Sequence, residues 1–178
     1  MSKKKVIFCT HSSIYSSKIL EQLIAETELE LVAVINSIRV LHPRYGYIRG
    51  SIEQIRTSGL RYSAYLFFIT SFFSWMRPLV FMQKWPLLSV HSLAKLNNIP
   101  LLDTRDINNS QATDFIKKHS PDYLLCAHFN QLLKQQVFEM SEVELINIHP
   151  SLLPAYKGVD PVFFAMNDNQ DQIGVSLH

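Results

Sequence analysis

Glycine is scarce, with five in 178 residues, where an average chain carries about 7%. None lies in Thr10 to Ser17, the turn between the first strand-like run and the first helix-like one. A cradle of backbone amides around a phosphate needs glycine there, so neither a dinucleotide fingerprint nor a P-loop is present. Cysteine is scarcer still. Cys9 and Cys126 each sit inside an apolar run, as small buried thiols do, which argues against a disulfide framework or a cysteine metal site and suits a reducing compartment. Charge of one sign is also missing: 17 Lys+Arg against 15 Asp+Glu gives +2, which points neither toward nor away from nucleic acid. Tyr62 to Met76 (YSAYLFFITSFFSWM) is apolar nearly all round, but its 15 residues fall short of the ~20 that cross a bilayer. The start MSKKKVIFCT is basic, yet Thr10 and His11 interrupt its apolar run too early for a signal peptide. The expected location is the cytoplasm, and the expected organisation is one domain over residues 1–178, with no repeat and no low-complexity linker.

What is present reads as strand, helix, strand. Lys5 to Thr10 is a buried first strand, Ser16 to Ala25 carries Ile19, Leu20, Leu23 and Ile24 at helical spacing, and Glu30 to Asn36 is a second strand. Short links between them open a parallel α/β sheet. Ser12, Ser13, Ser16 and Ser17 fit helix caps, with anion binding by hydroxyls as the alternative. Further on, the spacing predicts a helix over Ser89 to Asn97, a strand over Ile99 to Leu102, a helix capped by Asn108 to Ser110 and stopped by Pro121, a strand over Tyr123 to Ala127 and a helix over Leu132 to Met140.

Residues 38–85 depart from this alternation and read as an insertion. Ser51-Ile-Glu-Gln54 has capping-box form and predicts a helix running to about Gly59. Seven basic residues lie between Arg39 and Lys84 against one acid, Glu53, leaving 10 basic and 14 acidic residues elsewhere. Two readings of the apolar stretch stay open: a helix buried against the domain, a partner or a second copy through residues 60–82, or a helix on a membrane surface, which its lack of a polar face disfavours.

The stretch Leu145 to Pro161, LINIHPSLLPAYKGVDP, organises the rest. It reads as the central strand of the sheet, delivering polar groups to a cleft at its C-terminal end. Alternate strand residues share a face, so Asn147 and His149 point one way and Ile146 and Ile148 the other. Pro150 holds His149 in extended geometry. Pro154, Pro161 and Gly158 make Ser151 to Gly158 a shaped rim.

At these residues the chain resembles the folate-dependent formyltransferases, the group that includes the methionyl-tRNA, sugar-nucleotide and glycinamide ribonucleotide enzymes. The family pattern of Asn-x-His, Ser-Leu-Leu-Pro, an aromatic and a basic residue before Gly, and a later Gly-x-x-x-His stands here as Asn147, His149, Ser151-Leu152-Leu153-Pro154, Tyr156-Lys157-Gly158 and Gly174 to His178. The resemblance implies a mostly parallel, three-layer, Rossmann-like α/β fold with a helical insertion after the second strand. It also implies N-formylation of an amine with 10-formyltetrahydrofolate as donor. Asn147 and His149 would be catalytic: an amide N–H stabilises an oxyanion, and an imidazole, with an unperturbed pKa of roughly 6.5, exchanges protons near neutrality. Phe129, Asn130, Gln131 and Leu133 would neighbour the folate, core packing being the plain alternative for Phe129 and Leu133. Ser151, Tyr156, Lys157 and Gly158 would line the substrate loop. No metal is expected, since a trio of His128, His149 and His178 lacks any close His or Cys pair.

The acceptor expected is an amino sugar or another small amine, including a phosphate-bearing one, ahead of methionyl-tRNA. Pro161 and Ala165 look more like the tRNA and sugar branches than the purine branch, whose first turn carries glycine. The family completes its site with an aspartate beyond the Gly-x-x-x-His segment, whereas the 178 residues stop at His178. Two expectations follow: a fragment of a longer enzyme, or a short form that binds folate, a partner or a membrane through the apolar insertion without catalysis.

Overall fold

The computed structural model describes residues 2–39, 47–68, 88–140, 143–158 and 161–178. Six strands, β1 (Lys4–Thr10), β2 (Leu29–Ser37), β3 (Leu101–Thr104), β4 (Tyr123–Ala127), β5 (Glu144–His149) and β6 (Ser176–Leu177), form one sheet in the order β3-β2-β1-β4-β5-β6. All neighbours are parallel except β5 and β6, which run antiparallel. The helices among the described residues are α1 (Ile14–Ala25), α2 (Tyr47–Phe67), α3 (Val90–Leu96), α4 (Ser110–His119), α5 (Gln135–Phe138) and α6 (Pro161–Asn167).

Two apolar clusters line the two faces of the sheet. On one, Ile7, Cys9, Ile35, Leu124 and Cys126 pack with Ala112 and Ile116 of α4 and Val137 of α5. On the other, Phe8, Val34 and Ala127 pack with Leu20 of α1 and Val90 and Leu93 of α3. Alternation along each strand divides the side chains between the faces, which makes this the expected three-layer, mostly parallel α/β fold.

Five local expectations change. The centre of the sheet is β1 and β4, whose apolar runs are covered on both faces, and β5 stands one strand from the edge; its polar Asn147 and His149 are only half-buried. α1 begins at Ile14, because the Ser13 hydroxyl accepts from Ser16 N (3.1 Å) as the N-cap. β3 starts two residues late. Pro100 has no N–H, its carbonyl accepts from Val34 N (2.9 Å), and Ile99 N turns back to Ala94 O (2.9 Å) to finish α3. The helix expected over Leu132 to Met140 shrinks to Gln135–Phe138, since Asn108 holds the preceding loop by donating Nδ2–H to Leu132 O (3.0 Å) and accepting from Lys134 N (2.7 Å). Finally α2 starts at Tyr47, ahead of the proposed cap Ser51, and Gly59 (φ 80°, ψ 160°) breaks it. That conformation lies in the region that favours glycine.

α2 follows β2 and is largely exposed, with Ile48 at 79%. Its second half meets the body through aromatic rings: Tyr62 and Tyr65 each lie 5.3 Å, centroid to centroid, from Phe163 of α6. Residues 40–46 and 69–87 of the expected insertion lie outside the described residues, as do 69–82 of the proposed partner surface. Among the described residues no helix is long and apolar enough to cross a membrane.

Candidate active site

β5 presents Leu145, Asn147 and His149 toward the face that α4 and α5 cover. Leu145 joins the first cluster and Ile148 the second, which fixes the register of the two polar residues beyond them. Asn147 is the Cα partner of Cys126 on β4. On the other side Asn147 exchanges both backbone hydrogen bonds with His178: its N–H donates to His178 O (2.7 Å), and His178 N–H donates to Asn147 O (3.1 Å). The side chains meet as well, Asn147 Nδ2–H donating to His178 Nε2 at 2.8 Å. The His178 ring stands 6.3 Å from the His149 ring at 75°. The amide nitrogen of Asn147 carries two hydrogens, so a second N–H is left for another acceptor.

His149 is held from the other side. Its Nε2–H donates to Tyr156 O at 2.8 Å, so neutral His149 carries its proton on Nε2 and its lone pair on Nδ1. The Ser151 to Gly158 loop makes this possible. Ser151 Oγ donates to Ala155 O (2.7 Å), Ser176 Oγ donates to Ser151 O (2.8 Å), and Leu153 N donates to Ser176 Oγ (3.1 Å). The Leu153–Pro154 peptide bond is cis. The left-handed residue of the loop is Tyr156 (φ 51°), while φ of Gly158 lies outside that region and a Cβ there would meet nothing within 4 Å. A bulky side chain in this conformation is an outlier that costs about 1–3 kcal/mol. Tyr156 Oη donates to Asp168 Oδ2 (3.1 Å), and partial desolvation, followed by that bond, raises the phenol above its ordinary range. Lys157 is exposed. Gly174 has its own reason: a Cβ there would lie 2.3 Å from Leu152 Cδ2, so it lets the segment before β6 pack under the loop.

The segment after β4 is built differently. Phe129 and Leu133 pack against the first core cluster. Asn130 accepts from Ser37 Oγ through Oδ1 and donates Nδ2–H to Arg39 O (3.1 Å). Gln131 is 8% exposed. Its Oε1 accepts from Ile107 N (2.6 Å), and its Nε2 donates to Ser37 Oγ (2.7 Å) and Thr104 O (3.1 Å). These side chains tie together the C-terminal ends of β2, β3 and β4.

In the glycine-free turn after β1 the hydroxyls bond within the protein. Ser12 Oγ donates to Asn36 Oδ1 (2.8 Å), Ser16 Oγ to His11 O (2.6 Å) and Ser17 Oγ to Ser13 O (3.2 Å). His128 stacks on His11 at 6.1 Å. Among the described residues no three His, Cys, Asp or Glu side chains are grouped to hold a metal.

His178, which closes the Gly-x-x-x-His segment, stands outside the expected catalytic pair of Asn147 and His149. The pairing of β6 with β5 is the signal that brings it to Asn147.

A profile described as formyl transferase matches residues 79–178, more than half of the chain. The chain belongs to the formyl transferase family. A methionyl-tRNA formyltransferase of Kosmotoga olearia is 31% identical over 88 residues, 49% of this chain and 28% of that protein. One from Blochmanniella floridana is 30% identical over 95 residues, 53% of this chain and 29% of that protein. The matched stretch thus spans under a third of these relatives. Among solved structures, a phosphoribosylglycinamide formyltransferase from Anaplasma phagocytophilum superposes with a TM-score of 0.57 at 18% identity, covering 99% of this chain and 64% of that one. A formyltetrahydrofolate deformylase from Pseudomonas syringae gives 0.55 at 16% identity, covering 99% and 46%. At such identities the likeness carries the formyltransferase fold, and the family assignment rests on the profile.

Proposed function

We propose that this chain carries the reacting centre of an N-formyltransferase that moves a formyl group from 10-formyltetrahydrofolate to an amino sugar or another small amine. One observation supports this above the others: Asn147, His149 and the antiparallel neighbour's His178 converge at the C-terminal end of β5, the side of the strands on which open α/β sheets bind their ligands.

The reaction forms a bond from the acceptor nitrogen to the formyl carbon and breaks the bond from that carbon to N10 of the folate. Between the two steps the formyl oxygen is an oxyanion. The second N–H of Asn147 is suited to stabilise it, an interaction worth about 3–4 kcal/mol in acyl transfer. The acceptor amine must lose a proton and N10 must gain one. His149 Nδ1 is suited to take the first and return it to N10. The donor would lie against the loop after β4, whose backbone and apolar side chains at Phe129 and Leu133 offer a pterin shape more than free polar groups.

The test is formyl transfer by the intact protein from 10-formyltetrahydrofolate to amino-sugar nucleotides, simple amino sugars and methionyl-tRNA. Asn147→Ala and His149→Ala should each lower turnover on the order of 10²–10³-fold with unchanged circular dichroism. Wild-type turnover in both variants would refute the assignment. A second reading, a domain that binds folate or a partner without turnover, is favoured by exposed Ile48, Ile52 and Leu60 on α2. It predicts saturable folate binding with no transfer to any of these acceptors.

A further inference from the structure

We propose that Tyr156 and Asp168 are positioning residues for His149: Asp168 pins the Tyr156 phenol, and the pinned backbone turns its carbonyl onto His149 Nε2–H, leaving Nδ1 as the basic nitrogen. The inference rests on the catalytic reading of His149 given above and adds two residues to it.

Three observations converge on it. Tyr156 adopts φ 51°, in a loop whose glycine two residues later sits outside the left-handed region. A chain that wanted only a turn would place the glycine where φ is positive. An aromatic residue held there needs something to over-determine its conformation. The Oη contact to Asp168 at 3.1 Å supplies that from outside the loop, and Asp168 is itself anchored where α6 ends, its N–H donating to Phe164 O (2.9 Å). The strained residue's carbonyl receives the His149 proton at 2.8 Å. Ser151 Oγ satisfies the neighbouring carbonyl, Ala155 O, at 2.7 Å and reaches Tyr156 O only at 3.5 Å, so the imidazole is the better partner of Tyr156 O. An imidazole has two tautomers, and the acceptor at one nitrogen selects between them. A side chain in the helix after the loop thereby sets which nitrogen of His149 is the base.

The sequence spacing gives the device a use. Lys157 follows Tyr156 directly and is exposed, so an acceptor that pulls on this rim pulls on the carbonyl that fixes His149. Substrate contact and proton-transfer geometry would be coupled through one peptide unit.

Long-range 1H–15N correlations of the His149 ring report the tautomer without requiring turnover. At about pH 8.5, two units above the ordinary imidazole pKa, the 178-residue chain should show one protonated and one bare ring nitrogen, with the proton on Nε2. Tyr156→Phe and Asp168→Ala should each lose that separation, the two nitrogen shifts converging toward a tautomer mixture. Asp168→Asn keeps an acceptor oxygen and should restore the wild-type pattern. Asp168 is exposed, so its variants leave the core intact even if Tyr156→Phe proves unstable. An unaltered Nε2–H signature in Asp168→Ala overturns the proposal. So does a wild-type ring protonated on Nδ1. The catalytic reading fails separately, through undiminished turnover in His149→Ala, and it takes the proposed role with it whatever the tautomer.

Discussion

Replacing Gln131 by alanine tests whether that side chain holds the fold or serves a ligand. Its amide accepts from Ile107 N at 2.6 Å and donates to Ser37 Oγ and Thr104 O, and Ile107 is fully buried. Truncation orphans a buried N–H, which costs about 1–3 kcal/mol, and removes two further hydrogen bonds worth about 0.5–1.5 kcal/mol each. Water entering the vacated volume recovers part of this, so the expected loss is about 3 kcal/mol. With a urea m-value of about 2 kcal/mol/M, the unfolding midpoint should fall by about 1.5 M at unchanged m. Equilibrium urea unfolding followed by circular dichroism reads this directly. A loss below about 0.5 kcal/mol, the level of an ordinary surface substitution, would refute the reasoning. If folate affinity fell in that case, Gln131 would be a ligand contact.

Three other outcomes are expected. Gly174→Ala places a Cβ 2.3 Å from Leu152 Cδ2, but that side chain is exposed and can turn aside, so the loss of stability should stay below about 1 kcal/mol. Adding Leu152→Ala should recover most of that in thermal unfolding, and no recovery would mean the contact is not the cause. Cys9 and Cys126 face each other across β1 and β4 and are both buried. The hydrogen bond to Cys126, then burial, pushes the Cys9 thiol well above its usual range, so a thiol reagent should label neither cysteine natively and both in denaturant; prompt native labelling would contradict the burial. The Asp106 carboxyl is held below its usual range, chiefly by the Asn108 backbone N–H and then its side-chain amide. Its stabilisation is therefore present above the ordinary carboxylate range and is lost as pH falls through the depressed value. Asp106→Ala should lower stability at pH 7 and flatten the acid limb of a pH series, and parallel curves would exclude the linkage.

Most elements were legible because their signals are local. The apolar runs at Val6 to Cys9 and Leu124 to Ala127 give the strands, Ser89 and Asn109 cap their helices as serine and asparagine do, and Ser120 closes α4 beyond Lys117, Lys118 and His119. The place of β5 in the sheet was not legible, since alternation tells which side a residue faces and nothing about which strand lies alongside. The partners of Gln131 lie 24, 27 and 94 residues away, so an amide in a loop gave no sign of them. Asn147 and His149 could be paired by the period of a strand, whereas His178 needed the β5–β6 register. Tyr156 escaped notice as the turning residue because glycine at 158 offered the cheaper explanation.

The β1–β4 and β5–β6 pairings also differ in how much chain each must close. Bringing Thr10 to Ala127 spans 117 residues, while bringing Asn147 to His178 spans 31. Loop-closure entropy grows with the logarithm of length, so the longer closure costs about 1.2 kcal/mol more. On that count the β1–β4 pairing is expected to be the slower event in folding. The antiparallel corner can zip and fray on a faster clock once β4 supplies a neighbour for β5. Substitutions between Glu144 and His178 should therefore act mainly on the unfolding rate, and those in β1 and β4 on the folding rate. The corner that holds the polar cluster is free to vary chemically without slowing the assembly of the scaffold beneath it.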